Sequence, residues 1–152
     1  MRMKGGQYLT FKLQNLSYGV GIENVREINR MSEIAAVPEA PDFVAGVMNL
    51  RGKVITVVDL RKRLHMPVAE VTKETCIIVV ESEIGHVGVI VDSVQAVIHL
   101  QEAQIDDSPI SEDEYSFVKS IGKMDDHLVM LIDIFRCLSK RDMLGMDSAA
   151  AA

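Results

Sequence analysis

Tryptophan is absent from the sequence, and aromatic residues of all kinds make up only 5% of its 152 positions. A core built mainly on large aromatic rings is therefore excluded. Hydrophobic residues still account for 48% of the chain and charged residues for 25%, which is ordinary for a globular protein. A chain of this length buries about 70% of the surface that it exposes when unfolded. We expect one domain, or two small subdomains with a common core of Val, Ile, Leu and Met.

The sequence also lacks any run of about 20 apolar residues, the length with which a helix crosses a bilayer. Its N-terminus, MRMKGGQ, has no apolar segment of the kind found in secretory signals. The two cysteines, Cys76 and Cys137, form no CxxC motif and stand in apolar surroundings, so we expect free thiols in a reducing compartment. The prediction is a cytoplasmic protein without membrane insertion.

An excess of basic residues is missing as well. Sixteen Lys and Arg residues stand against 22 Asp and Glu residues, which gives a net charge of −6. Since nucleic-acid binding needs clustered positive charge, this balance argues against nucleic acid as a partner. The one basic cluster, Arg61-Lys62-Arg63, is interpreted as the solvated side of a short helix.

What the sequence does contain is a series of strand patterns. Apolar and polar residues alternate in residues 8–13, which predicts a half-buried strand. In residues 86–92, Val87, Val89 and Val91 are predicted to share one face. Short strands with turn signals at this spacing are typical of an all-β barrel or sandwich. The polar residues after Pro67 predict a linker, near residue 70, between two groups of strands.

The segment before the basic cluster raises the question of what Arg51 does. A short helix is predicted over residues 42–48, with Asp42 as its N-cap. Gly52 would end this unit, and residues 53–58 predict a strand buried on both faces. Under this interpretation Arg51 and Gly52 form a corner between a helix and a central strand.

Further local elements follow from caps and turns. Asp59 is predicted to cap a single helical turn. Residues 125–126, both Asp, predict a hairpin turn. A C-terminal helix is expected from Ile134, with residues 143–144 continuing its apolar side against the body of the protein.

Motifs of known catalytic chemistry are missing from the sequence. There is no GxxxxGK[ST], GxGxxG, GxSxG or HExxH, and the four histidines lack metal-ligand spacing. The acidic residues 106–114 lack the central Gly and final Glu of an EF-hand loop. Asp59 and Asp92 each end a predicted strand, which leaves open a catalytic pair or, as the simpler interpretation, turn and cap roles. We expect no enzyme activity, no cofactor and no metal, and the weight falls on a binding module.

The segment VPEAPDFVAGVMNLRGKVITVVDLRKRL, residues 37–64, resembles the CheW family of bacterial chemotaxis adaptors. The resemblance extends from about Gln7 to Leu138, and the combination of GVMNLRGKVITVVDL with VGVIVDSV is specific to that family. It implies a mainly β fold of two packed five-stranded SH3-like β-barrels, with short connecting helices and a C-terminal helix.

The same resemblance implies a domain organisation. A single CheW-like domain would cover residues 7–140, with approximate subdomains at 15–72 and 73–140. The N-terminal strand, residues 7–14, could be shared between the two. Residues 1–6 and 145–152 would be flexible ends.

The resemblance also implies a function and a site. The protein would be a non-catalytic scaffold that couples the hairpin tip of chemoreceptors to the regulatory domain of the histidine kinase CheA. The receptor would lie in an apolar groove between the barrels. By matching motifs, the groove residues on one side are Val25, Glu27, Ile28 and Arg51, and those on the other side are Gly88, Val94 and Val97.

Simpler roles stay open for these residues. The valines could belong to the core, Arg51 could brace a turn, Glu27 could be solvated charge, and Gly88 could be a backbone requirement. Two other functions also stay open. The chain could be an adaptor of a related signalling system outside chemotaxis, or a β-barrel module that senses a small molecule in the groove.

Overall fold

The structure is a computed structural model that describes residues 3–107 and 117–139. Strands dominate these residues, so the expected mainly β class is confirmed. The strands are β1 (Gly6–Leu13), β2 (Leu16–Gly21), β3 (Val25–Arg30), β4 (Val44–Leu50), β5 (Lys53–Asp59), β6 (Cys76–Ser82), β7 (Gly85–Val91), β8 (Ser93–Leu100), β9 (Ile105–Asp107), β10 (Val118–Lys123) and β11 (Leu128–Ile132). Two one-turn helices, α1 (Leu60–Arg63) and α2 (Ile134–Cys137), follow β5 and β11, and 3₁₀ turns lie at Ile22–Asn24 and Glu102–Gln104.

The strands form two sheets. The six-stranded sheet has the order β8-β1-β2-β11-β10-β9, and the five-stranded sheet has the order β3-β6-β7-β5-β4. Each contains one parallel pair, β2 with β11 and β5 with β7. Two five-stranded units were expected, and the extra strand is β9, which has only three residues. No helix in the described parts of the chain is long and apolar enough to span a membrane.

The five-stranded sheet closes on itself through one backbone bridge. Ala35, which follows β3, exchanges two hydrogen bonds of 2.9 Å with Val47 of β4. Because β3 and β4 are the two edges of this sheet, the bridge joins its edges and makes a barrel. Gly46 allows the approach: its φ is +149°, and a Cβ atom there would lie 2.1 Å from the carbonyl oxygen of Ala35.

Within the described residues, three apolar clusters hold the sheets. The largest lies between them and takes residues from both. A second cluster lies on the other face of the six-stranded sheet and includes Tyr8 and Leu131. A third lies inside the five-stranded barrel and includes Val57 and Ile77. The shared cluster consists of Leu9, Phe11, Leu13, Tyr18, Val20, Val58, Leu60, Ile78, Val80, Val87, Val89, Val91, Ile132, Ile134, Cys137 and Leu138.

Strand β5 is buried on both faces near its end. Successive side chains of a strand point to opposite faces, so neighbouring residues can enter different clusters. In β5, Val57 belongs to the barrel interior and Val58 to the shared cluster, so the predicted two-sided burial is confirmed for the end of that strand. Its first residues, including Val54, are exposed. Val87, Val89 and Val91 all join the shared cluster, as their spacing predicts.

The two halves of the chain repeat one order of elements. Strands β1 to β5 and helix α1 correspond to β6, β7, β8, β10, β11 and α2. Register irregularities recur at matching positions: β4 shifts against β5 between Val44 and Gly46, and β10 shifts against β11 between Val118 and Ser120. Each one-turn helix begins after an N-cap aspartate. The fold is therefore an internal repeat.

Each sheet draws strands from both halves of this repeat. Strands β1 and β2 join β8 to β11, whereas β6 and β7 join β3 to β5. The two halves of the repeat meet between α1 and β6, and this boundary along the chain does not separate the sheets. The subdomains expected at residues 15–72 and 73–140 stay a prediction. β1 lies between β2 and β8 within the six-stranded sheet. Strand exchange of this kind depends on pairing between distant residues, which linear patterns do not show.

The helix predicted over residues 42–48 is wrong, since β4 covers most of that segment. Arg51 and Gly52 instead form the turn of the β4–β5 hairpin, with φ values of +50° and +88°. Positive φ at both central residues is the signature of a tight type I′ turn. Gly52 N also donates to Oδ1 of Asn49 at 2.8 Å. The β-hairpin pairing prevails over a local cap signal at Asp42.

The basic cluster does not lie on a solvated side. Arg63 is only 8% exposed, and its Nε donates to the carbonyl oxygen of Cys137 at 2.9 Å. Its guanidinium lies 4.9 Å from the ring centre of Phe43 and 4.2 Å from that of Phe117, residues that precede β4 and β10 respectively. Arg61 pairs with Asp92. The helical turn α1 lies where the two sheets meet. The run Arg61-Lys62-Arg63 does not by itself indicate this position, because the contacts come from residues far away in the chain.

The chain ends differ in part from expectation. The backbone N–H of Met3 donates to Oγ of Ser120 in β10 at 2.8 Å, and that of Gly5 donates to Oε1 of Glu102 in the 3₁₀ turn after β8 at 2.9 Å, so this end of the chain is bonded to the six-stranded side. The predicted turn at residues 125–126 and the cap at Asp59 are confirmed. Residues 1–2 and 140–152, with the predicted flexible C-terminus and the continuation of the last helix, lie outside the described residues. So do residues 108–116, which include most of the acidic segment named above.

Replacing Gly46 tests the closure of the barrel. We expect Gly46→Ala to lower the free energy of unfolding by about 2 kcal/mol or more, because the new Cβ meets a backbone oxygen at a left-handed φ. Denaturant unfolding monitored by circular dichroism measures this. Gly85→Ala is the matched control, since Gly85 has a φ of +102° but open space around its Cβ position. Equal losses in both variants would mean that the close approach to Ala35 is no constraint.

Candidate functional site

The candidate site lies at two edge strands, β3 of the five-stranded sheet and β8 of the six-stranded sheet. Val25 of β3 and Val94 of β8 are partly buried and pack against the shared cluster. Ile28 and Val97 lie further along the same strands and are 44% and 51% exposed. We call these four residues the intersheet surface.

Strand register explains why Val25 and Ile28 share one face. β3 pairs with β6 so that Val25 lies opposite Val80 and Ile28 opposite Ile78, with a register shift between Val25 and Glu27. Directly opposed residues project to the same side of a sheet. Since Val80 and Ile78 belong to the shared cluster, both β3 residues face the other sheet.

The same arrangement recurs on β8. Val94 lies opposite Phe11 and Val97 opposite Leu9, again across a register shift. Phe11 and Leu9 are members of the shared cluster. The two bulged edge strands occupy corresponding places in the repeat. The intersheet surface therefore has two related aliphatic sides, the β3 margin with Val25 and Ile28 and the β8 margin with Val94 and Val97.

Glu27 and Arg51 form an ion pair on the opposite face of β3. Glu27 lies opposite Val79, which points into the five-stranded barrel. Nη2 of Arg51 donates to Oε2 of Glu27 at 2.7 Å, and Nδ2 of Asn29 donates to Oε1 at 3.0 Å. The hydrogen bond from Arg51 holds the pKa of the Glu27 carboxyl below its usual range, and the same bond raises the pKa of Arg51. The pair joins the β4–β5 turn to the β3 edge.

Arg51 braces its turn through this ion pair, and its role as a groove residue stays a prediction. Its side chain is 71% exposed, so the pair contributes little to stability because water screens it. One of its five N–H groups donates to Glu27. The guanidinium is braced in orientation and remains accessible from outside.

Gly88 does not line the intersheet surface. It is buried in the five-stranded barrel, where a Cβ atom would lie 2.7 Å from Cγ2 of Ile77. Its counterpart in the repeat, Gly19, faces Leu131 and Val129 in the same way. Both glycines belong to the parallel strand pairs, where the adjoining side chains leave no room. The backbone interpretation of Gly88 is the one that fits its position.

For Asp92 the sequence left open a catalytic role or a turn or cap role, and the structure shows which groups its carboxylate binds. Its carboxylate accepts bonds from Nε of Arg61 at 2.8 Å, from Nη2 of Arg61, and from the backbone N–H of Gln14 at 2.9 Å. These contacts, with Arg61 foremost, hold the pKa of Asp92 below its usual range. Asp59 instead caps α1 by accepting from the N–H of Lys62. The two aspartates serve separate structural roles.

An open polar cleft of about 440 Å³ lies beside Asp92. Its other lining residues are Lys12, Asn15, Thr72, Glu74, Ser93 and Gln95. Arg61 and Gln14 already bind the Asp92 carboxylate, so contacts within the protein explain why its pKa is lowered. Among residues 3–107 and 117–139, no group of three or more His, Cys, Asp or Glu side chains could hold a metal ion.

Comparison with known proteins gives a consistent result. A family model described as the CheW-like domain matches residues 7–142. The chemotaxis protein CheW of Bacillus subtilis strain 168 is 33% identical over 138 residues, covering 90% of this chain and 88% of that protein. The chemotaxis protein CheW of Klebsiella aerogenes is 30% identical over 152 residues, covering 96% and 89%. The crystal structure of the scaffolding protein TtCheW from Thermoanaerobacter tengcongensis superposes with a TM-score of 0.82 at 33% identity, covering 92% of this chain and 97% of that chain.

The Asp92 contacts predict a component of acid sensitivity. A carboxyl whose pKa is lower in the folded state stabilises the fold above the ordinary aspartate pKa of about 3.9, and this contribution is lost as the pH falls through the lowered value. We expect Asp92→Asn to cost about 1 to 2 kcal/mol at pH 7 and to flatten the decline in stability towards pH 2. Urea unfolding at several pH values measures it. With Asp125→Asn in the exposed hairpin turn as control, an equal effect of the two substitutions would contradict the assignment.

Proposed function

Because this chain belongs to the family of CheW-like domains, we propose that it is a non-catalytic scaffold that couples chemoreceptors to the histidine kinase CheA in bacterial chemotaxis. Relatives that it matches over most of their length are named chemotaxis proteins, and the structural neighbour is named a scaffolding protein. The protein would act in the cytoplasm, at receptor arrays beside the membrane. It would bind the cytoplasmic hairpin tip of the receptor and the regulatory domain of the kinase.

The observation that carries this proposal is the intersheet surface. It presents the exposed aliphatic side chains of Ile28 and Val97 on the same strands as the partly buried Val25 and Val94. An amphipathic helix binds such a surface by laying its apolar stripe against it. Burial contributes about 25 cal/mol per Å² of apolar area, from which the ordering costs of association are subtracted. A receptor hairpin, which is helical, suits this chemistry.

Arg51 and Glu27 would supply orientation rather than most of the attraction. The guanidinium of Arg51 is exposed and already braced by Glu27, so it can donate to a carboxylate or to helix-terminal carbonyls of a partner. Complementary charge at the rim of an interface speeds association and rejects wrong partners. We assign this role to the pair.

Contacts with the kinase would use the ends of the barrels. Val54 of β5 and Leu128 of β11 occupy corresponding positions in the repeat and are 71% and 51% exposed. Two modest interfaces on one scaffold gain strength in an array, because binding at one raises the effective concentration at the other. This additive binding would let receptor state control kinase output.

Two alternative functions have different support. A small-molecule sensor would use the polar cleft of about 440 Å³ beside Asp92. An adaptor of a related signalling system would use the same intersheet surface, and genomic neighbours distinguish that case. Reconstitution with a receptor fragment and CheA tests the main proposal: kinase activity should depend on receptor only when this chain is present. Unchanged receptor control without it would contradict the proposal.

Truncation of Arg51 should separate docking from folding. We expect Arg51→Ala to leave the melting temperature almost unchanged, since its ion pair is solvent-exposed, and to weaken binding of a receptor fragment about tenfold. Arg26→Ala is the matched control, because Arg26, next to Glu27 on β3, forms another solvent-exposed ion pair, with Glu81 at 2.7 Å. Thermal melts and isothermal titration give the two readouts. A collapsed melt would identify Arg51 as a brace first.

Charge placed on an apolar surface should distinguish the two partners. We expect Val97→Asp to weaken receptor binding about thirtyfold, because a carboxylate would be desolvated in the interface, while binding to CheA is retained. Val54→Asp should show the reverse pattern. Pull-downs with each partner measure both. Loss of the same partner in the two variants would show that the surfaces are not divided in this way.

A further inference from the structure

Between β7 and β8 the chain passes from one sheet to the other through a single residue, Asp92. β7 of the five-stranded sheet ends at Val91, and β8 of the six-stranded sheet begins at Ser93. The backbone N–H of Asp92 donates to the carbonyl oxygen of Lys12 at 3.0 Å. Val94, on the intersheet surface, stands two positions further along. The place of Asp92 therefore sets where the β8 margin begins.

Arg61 holds Asp92 from the other sheet. It lies on α1, directly after β5 of the five-stranded barrel, and its side chain is only 14% exposed. Two of its nitrogens donate to the two oxygens of Asp92, and Nη1 donates to the carbonyl oxygen of Pro67 at 3.0 Å. A bidentate pair of this kind restricts orientation as well as distance. It connects the five-stranded barrel to the start of β8.

The corresponding place in the other half of the repeat is built differently. Glu23 takes the position of Asp92, in the 3₁₀ turn before β3, and Phe135 of α2 takes the position of Arg61. Phe135 is 44% exposed and carries no charge, so it cannot reproduce the ion pair. The carboxylate of Glu23 lies instead over Gly21, with Oε1 2.6 Å from the position of a Cβ atom there. The repeat supplies two margins, and among the described residues an Arg–Asp pair of this kind holds the β8 margin and not the β3 margin.

We propose that Arg61 and Asp92 are positioning residues for partner recognition, because their ion pair fixes the β8 margin of the intersheet surface, with Val94 and Val97, relative to the barrel that carries Val25 and Ile28. This inference rests on the proposed docking function. Neither side chain belongs to the surface. The pair acts by holding the two margins in one arrangement, so that the partner loses less of its binding energy to ordering the protein.

Binding measured well below the melting temperature separates positioning from stability. We expect Asp92→Asn to weaken binding of a receptor cytoplasmic fragment about fivefold at 20 °C, and Arg61→Lys, which keeps the charge without the bidentate geometry, to weaken it less. Val129→Ala is the stability control, since it opens a gap in the core of the six-stranded sheet away from the surface. A fall in melting temperature with unchanged affinity in both pair variants would overturn the inference.

Double substitutions show which margin the pair controls. The effect of Asp92→Asn should be smaller in a Val97→Ala background, where the misplaced side chain is already missing, than in an Ile28→Ala background on the opposite margin. Equal effects in the two backgrounds would contradict control of the β8 margin.

Hydrogen exchange on the full chain without a partner keeps the two proposals distinguishable. Asp92→Asn should speed exchange of the β8 amides about tenfold while those of β3 keep their wild-type rates. If the wild-type protein fails to bind the receptor fragment, the docking function fails, and exchange alone decides whether the pair anchors β8. Unchanged exchange in β8, or equal change in both strands, would overturn the positioning role.

Discussion

The apolar cluster between the two sheets is the constraint on which the rest of the molecule depends. Phe11 and Val20 enter it from the six-stranded sheet, and Ile78 and Val89 enter it from the five-stranded sheet. Fully burying one such side chain stabilises the fold by about 1.5 to 3 kcal/mol relative to exposure. Because each sheet takes strands from both halves of the chain, neither half completes this cluster alone. The intersheet surface exists only as the margin of the cluster.

The two halves of the repeat share their backbone geometry, but they carry different side chains at corresponding positions. The turn of the β4–β5 hairpin carries Arg51, whereas the corresponding turn between β10 and β11 carries Asp125. Glu27 on β3 has Ala96 as its counterpart on β8. The five-stranded barrel therefore presents a basic turn held by an ion pair, and the six-stranded sheet presents an acidic turn. This asymmetry on a common frame is consistent with the proposed binding of two different partners.

How much of the candidate site the sequence could predict depends on the residue. Val25, Ile28, Val94 and Val97 were chosen by resemblance, and they do lie at the margins of one core. Their common orientation was not predictable from spacing, because residues three apart on a regular strand point to opposite faces. A register shift on each edge strand restores the common face. Gly88 was placed in the groove by the same resemblance, yet it lies inside a barrel.

The sequence by itself determined what short-range geometry controls: the common face of Val87, Val89 and Val91, and the helical turn capped by Asp59. These features depend on the period of the backbone and on hydrogen bonds between near neighbours, which a local pattern records. Only the tertiary structure decided the exchange of strands between halves, the burial of Arg63, and the link from Arg61 to Asp92. Each of those joins residues far apart in the chain. Their partners are selected by packing, and packing is settled only when the whole core closes.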